Sequence, residues 1–182
     1  IYEHIRYDGP HVPMASLPGM SERTITISGA SKTFAVTGWR IGWAVAPAEV
    51  TSSIRKVHDF LTVGAPAPLM EAVADALEQL DEEFYKELAC AYCGRRNLLY
   101  DVLTSRGFRA EKPAGAYYIL ADYAAVSDLP DAAFAEWLTR EIGVTPVPGS
   151  SFFSVKDPAR RLVRFAFCKR EETLRAAAER LA

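Results

Sequence analysis

The sequence is short of most features that would place it in a special class. Its 21 Lys+Arg and 23 Asp+Glu nearly cancel, leaving a formal net charge of −2. Bulk charge therefore gives no argument for a nucleic-acid or anionic-membrane partner. No apolar run approaches the ~18 residues a membrane helix needs. The 3 cysteines are an odd number, which makes no disulfide framework and fits a reducing cytoplasm. Cys90 and Cys93 form a lone C-x-x-C with no second pair and no nearby His, inside a helical pattern, so both read as helix residues. His4, His11 and His58 share no helix face or ligand spacing, and no metal site is expected. There is no internal repeat, no low-complexity tract and no leader with a basic start, apolar centre and small-residue cleavage site. The chain opens Ile1-Tyr2-Glu3-His4 without Met and reads as starting in the middle of something.

What is present is an ordinary soluble composition, 49% hydrophobic and 24% charged over 182 residues. A chain of that length buries a sizeable core without staples. Residues 1–20 carry His, Pro and Gly at close intervals and read as loop. Thr24 to Ser28 and Ile41 to Ala46 read as two short strands of a buried sheet. A helix opens between Pro47 and Glu49 and runs to about Leu61, and another carries Leu69, Val73, Ala76, Leu77 and Leu80 at helical spacing. Asp81 reads as the N-cap of a long helix ending before Gly107, with Glu82 and Glu83 in its first turn. Beyond it, Phe108 to Glu111 and Ala116 to Ala121 read as strands. Asp131 to Ile142 reads as a helix stopped by a left-handed Gly143. Leu162 to Phe167 reads as a strand and Glu171 to Leu181 as a final amphipathic helix. Strand and helix alternate, which favours an α/β fold.

The most informative stretch is Gly29-Ala30-Ser31-Lys32-Thr33-Phe34-Ala35-Val36-Thr37-Gly38-Trp39-Arg40-Ile41-Gly42. A lysine sits among small residues just past one strand, and an arginine follows eight residues later, just before the next. A desolvated lysine amine can form a Schiff base with a carbonyl. Arginine offers a planar fork to a phosphate or carboxylate, and Ser28 and Ser31 add hydroxyls. Such a set would hold a phosphorylated aldehyde. The same residues also read as a surface loop with two solvated cations, and the pattern alone leaves both readings open.

The stretch resembles the pyridoxal-phosphate attachment site of the class I/II aminotransferases, enzymes of fold type I, across all 14 positions from Gly29 to Gly42. The resemblance extends along the chain. Ile1-Tyr2-Glu3 is similar to the end of the family's Asp-Glu-x-Tyr-Glu segment, and Pro113 to Tyr118 to its small-domain strand pair. Val147 to Phe152 is similar to the loop before its last strand. Val163-Arg164-Phe165-Ala166-Phe167 is similar to the strand whose arginine grips the substrate carboxylate.

The resemblance implies an α/β fold: the end of the large cofactor domain with its mixed, mostly parallel sheet (1–65), a long interdomain helical segment (66–106) and a small C-terminal α/β domain (107–182). It implies pyridoxal 5′-phosphate as cofactor, held by Lys32 through a Schiff base, by Arg40 at the phosphate and by Tyr2 at the 3′ oxygen. Gly29 stands where some members carry a phosphate-binding serine, so Ser28 or Ser31 would take its place. Arg164 would anchor the substrate, and Lys32, once freed, would move a proton between the α-carbon and the cofactor as general base and acid. The substrates would be an amino acid and a 2-oxo acid, with a homodimer in the full-length form. A carbon–sulfur β-lyase of the same fold, or the aminotransferase-like effector domain of a transcription regulator, would share the Lys32/Arg40/Arg164 set. The family's partner for the pyridine nitrogen would lie upstream of Ile1, so the chain is expected to be the C-terminal half of such an enzyme and inactive alone.

Overall fold

The computed structural model describes residues 1–155, 157 and 160–181. The chain divides into two compact units, Ile1–Leu88 and Ala89–Ala182. The break falls inside a helix. The passage 66–106 thus gives one helix and the start of the next to the first unit, and the remainder to the second.

In the first unit, two short 3-10 turns precede β1 (Thr26–Gly29), which is followed by one helical turn, α1 (Ala30–Thr33). A further 3-10 turn, Thr37–Trp39, leads to β2 (Gly42–Val45), and α2 (Ala48–Leu61) and α3 (Ala67–Gln79) complete the unit with the first turns of α4 (Glu82–Ser105). β1 and β2 pair antiparallel, Thr26 opposite Val45 and Gly29 opposite Gly42. The parallel strands implied for this region are not among the described residues, where every pairing is antiparallel. The expectation of a buried sheet is also corrected. A two-stranded ribbon keeps few side chains from water, and Ile27 is 75% exposed.

The core of this unit lies instead beneath the connection from β1 to β2. Ala30, Ile41 and Val73 are buried together, with Phe34, Val36, Trp43 and Leu69 packed on them. The apolar positions of α3, spaced at three to four residues, are what fasten the connection down. α2, by contrast, contains no buried residue. The long helix starts where expected, for the Phe84 N–H donates to Asp81 Oδ1 at 3.1 Å.

The second unit is a four-stranded antiparallel sheet in the order β3 (Arg109–Ala110), β4 (Tyr118–Asp122), β6 (Leu162–Ala166), β5 (Val147–Pro148). Alternation along β4 and β6 sends Ile119, Ala121, Val163 and Phe165 into the core, where they join Leu99 and Leu103 of α4, Phe134 of α5 (Asp131–Trp137) and Leu174 of α6 (Glu171–Arg180). Tyr118, Leu120, Arg164 and Ala166 occupy the other face. The helix expected from Asp131 to Ile142 is α-helical only to Trp137, and Leu138–Ile142 widens into a π-turn. It ends at Gly143 with φ 75°, and a Cβ there would run into the Arg180 guanidinium. Cys90 and Cys93 both lie on α4. Among the described residues no helix is long and apolar enough to cross a membrane.

Candidate active site

The stretch from Gly29 to Gly42 forms the closed end of the β1–β2 ribbon. The strands meet there at unusually close range. A Cβ on Gly42 would lie 2.8 Å from the Ser28 carbonyl oxygen, so only glycine fits. The Ala30 N–H donates to the Ile41 carbonyl at 3.1 Å, locking the base of the turn. From that base, α1 carries Ser31 and Lys32, both half-buried, while Ala30 and Thr33 face the core.

The return path is held by one hydrogen bond to α1 and one within itself. The Thr37 hydroxyl donates to the Ser31 carbonyl at 3.1 Å, and the Arg40 guanidinium donates through Nη1 to the Thr37 carbonyl at 3.0 Å. Arg40 is therefore joined through Thr37 to the turn that presents Lys32. Two residues of this connection, Ala35 at φ 55° and Arg40 at φ 57°, adopt the left-handed conformation. For residues other than glycine that costs roughly 1–2 kcal/mol each. Strain of this kind gathers at ligand-binding turns, where surrounding contacts hold it in place.

The first residues of the chain lie against the same place. Ile1 Cδ1 comes within 3.5 Å of where a Gly29 Cβ would stand, and the Ser28 hydroxyl donates to Glu3 Oε1 at 2.7 Å. Tyr2, half-buried, sits between these two contacts, and its carbonyl accepts from the Ile5 N–H at 3.0 Å. His4 stacks on Tyr85 with ring centroids 4.2 Å apart. Burial pushes the His4 imidazole below its ordinary value, with the Glu3 carboxylate opposing and His11 and the N-terminal amine adding to the effect.

Five of the six site residues read from the sequence therefore belong to one unit: Lys32, Arg40, Ser31, Ser28 and Tyr2. Arg164 belongs to the second unit, on the outer face of β6. Its guanidinium carbon lies over the Phe152 ring at 4.3 Å and the Tyr118 ring at 5.0 Å. Its Nε is buried and has no hydrogen-bond partner among the described residues.

Sequence reasoning missed Thr37, whose hydroxyl and carbonyl bridge Ser31 to Arg40, and Glu3, which accepts the Ser28 hydroxyl's hydrogen bond. Thr37 had a signal in the motif's fixed spacing, but a hydroxyl in a turn does not announce its acceptor. Phe152 was read only as part of a loop. Its place over Arg164 follows from the pairing of β5 with β6, which local pattern does not reveal.

The family model for aminotransferase class I and II matches residues 1–181. The chain belongs to the class I and II aminotransferases. It is 40% identical to the methionine aminotransferase of Escherichia coli strain K12, over all of this chain and 47% of that one. To the kynurenine–oxoglutarate transaminase of Dictyostelium discoideum it is 38% identical, over all of this chain and 46% of that one. Among solved structures, the Escherichia coli methionine aminotransferase superposes with a TM-score of 0.92 at 40% identity, covering 99% of this chain and 47% of that one. The N-succinyldiaminopimelate aminotransferase of Mycobacterium tuberculosis gives 0.90 at 39% identity, covering 100% and 48%. Class I and II aminotransferases are enzymes of fold type I that use pyridoxal phosphate. The chain spans about half the length of the relatives it matches, and that share does not bear out the expectation that it is specifically the C-terminal half.

Proposed function

We propose that this chain carries the lysine half-site of a pyridoxal-phosphate-dependent aminotransferase that moves an amino group between an amino acid and a 2-oxo acid. The observation that carries the reading is the closed end of the β1–β2 ribbon. There Lys32 projects from a turn whose neighbour Ser31 is hydrogen-bonded through Thr37 to Arg40.

The donor set fits the cofactor. An amine for an aldehyde, a guanidinium for a phosphate and a hydroxyl stand within one short connection. Of the two serines, Ser31 is the better phosphate donor. The Ser28 proton is engaged by Glu3, and a carboxylate at that place repels an anion. Tyr2, held between Ile1 and Glu3 at the end of β1, would donate its phenol to the 3′ oxygen.

When bound, pyridoxal phosphate supplies an electron sink for the carbanion formed at the substrate's α-carbon. Arg40 and Ser31 would hold the phosphate and so orient the ring. Arg164 takes the substrate carboxylate through a bidentate fork. Lys32 would hold the cofactor's aldehyde and, as a free amine, would act as general base and acid for the proton on the substrate's α-carbon. The named relatives are transaminases, which favours amino exchange over β-elimination or a regulatory role. The segments 1–65, 66–106 and 107–182 would serve as cofactor domain, connecting helices and substrate domain, in a cytoplasmic homodimer.

Equilibrium binding of pyridoxal phosphate to the wild-type chain, Lys32→Ala and Arg40→Gln tests the reading. Wild type should retain cofactor through dialysis and Lys32→Ala should not. Arg40→Gln should bind on the order of 10-fold or more weakly, the loss of one charge-assisted phosphate contact. Equal retention by all three would refute the assignment.

A further inference from the structure

Arg164 stands in surroundings more specific than a carboxylate anchor requires. Alternation on β6 turns it away from the core, yet its Nε is buried and meets no acceptor among the described residues. Among the same residues it forms no ion pair. A buried Nε–H without an acceptor is costly. Two aromatic rings offset part of that cost, Phe152 at 4.3 Å and Tyr118 at 5.0 Å from the guanidinium carbon. The register places apolar residues on both flanks. Leu120 is directly opposite Arg164 on β4 and Val147 directly opposite on β5. Leu120, Val147 and Phe152 each leave more than a third of their surface open, at 38%, 37% and 44%.

We propose that Phe152, with Tyr118, is a positioning residue that fixes the orientation of the Arg164 guanidinium, and that Phe152, Leu120 and Val147 make this a site for a carboxylate bearing an apolar group. The inference rests on the reading of Arg164 as carboxylate anchor and deepens it. A guanidinium has its five donors in one plane. Rings lying against that plane hold it without consuming a donor, so the fork stays available to two carboxylate oxygens. The same rings and the flanking Leu120 and Val147 leave apolar surface beside the fork. A ligand gains by covering that surface only if it carries hydrocarbon next to its carboxylate. The turn bearing Phe152, Gly149–Phe152, is itself held down, because the Ser150 N–H donates to Asp131 Oδ2 at 2.6 Å.

Titration calorimetry of the purified chain with 3-phenylpropionate, acetate and inorganic phosphate tests this. Wild type should bind 3-phenylpropionate on the order of 10-fold more tightly than acetate or phosphate. Phe152→Leu keeps apolar area but removes the ring face, and should weaken 3-phenylpropionate by about 5–10-fold. Phe152→Tyr restores the face and should return affinity to within about 2-fold, a rescue that a merely structural role would not give. Tyr118→Leu provides the same comparison should Phe152→Leu fail to fold. If Arg164→Gln abolishes binding while Phe152→Leu and Tyr118→Leu bind as wild type does, the positioning role is overturned and Arg164 keeps its own. Acetate binding as tightly as 3-phenylpropionate overturns the apolar preference. If wild type binds none of the three, or Arg164→Gln binds as well as wild type, the anchor reading fails and this inference with it.

Discussion

Gly42→Ala is the sharpest perturbation of the closed ribbon end. The added Cβ would sit 2.8 Å from the Ser28 carbonyl oxygen, 0.6 Å inside the 3.4 Å at which contact becomes ordinary. The obstacle is backbone in the facing strand, so no side chain can swing aside. The ribbon must open, which strains the Ala30–Ile41 hydrogen bond at its base. Overpacking of this kind costs roughly 1–3 kcal/mol. For a chain of this size that is a fall in melting temperature of roughly 2–12 °C. Gly38→Ala is the control, since nothing lies within 4 Å of its Cβ and its φ is not left-handed. Thermal unfolding followed by circular dichroism compares the two. Gly42→Ala should also retain less cofactor than Gly38→Ala, because Lys32 and Arg40 are carried by the two sides of the junction. Melting temperatures of the two variants within about 1 °C of each other would refute the reasoning.

Ala35 is exposed and left-handed at φ 55°. Ala35→Gly should therefore stabilise the chain by about 0.5–1 kcal/mol, the reverse of the usual sign, as chemical denaturation would show. Burial raises the Asp131 carboxyl, but hydrogen bonds from Ser150 and from the Ala132 N–H outweigh it and hold it below the usual carboxylate range. Its contribution is thus present above the unfolded pKa and lost as pH falls through the folded one. Asp131→Asn should cost about 1–2 kcal/mol near neutrality, and the gap from wild type should close below about pH 4 in urea titrations. Tyr123 is fully buried and its hydroxyl donates to the Leu129 carbonyl at 2.8 Å. Tyr123→Phe should cost about 1 kcal/mol by the same assay. The His4 ring proton signal should titrate with a midpoint below about 6.5, and Tyr85→Leu, by uncovering the ring, should bring it back toward that value in an NMR titration.

Most elements were legible because each carries a local cause. Asp81 sets the start of α4, Gly143 stops the helix before it, and period-2 burial along β4 and β6 separates core from outer face. The candidate residues near Lys32 were legible through a motif with fixed spacing, and the ribbon brings them together as that spacing requires. What stayed hidden depends on partners distant in sequence. Strand direction is one case, since short apolar strands read alike whether parallel or antiparallel. The bond from Ser28 to Glu3, 25 residues apart, is another. Nothing near Phe152 signals that β5 pairs with β6 and carries the turn over Arg164.

The central claim is that Lys32 is the residue that takes the cofactor's aldehyde. Reduction of the purified chain with borohydride in the presence of pyridoxal phosphate, followed by peptide mass mapping, tests it most directly. A cofactor adduct confined to Lys32 is the expected result. Labelling spread equally over Lys32, Lys56, Lys86, Lys112 and Lys169 would contradict it.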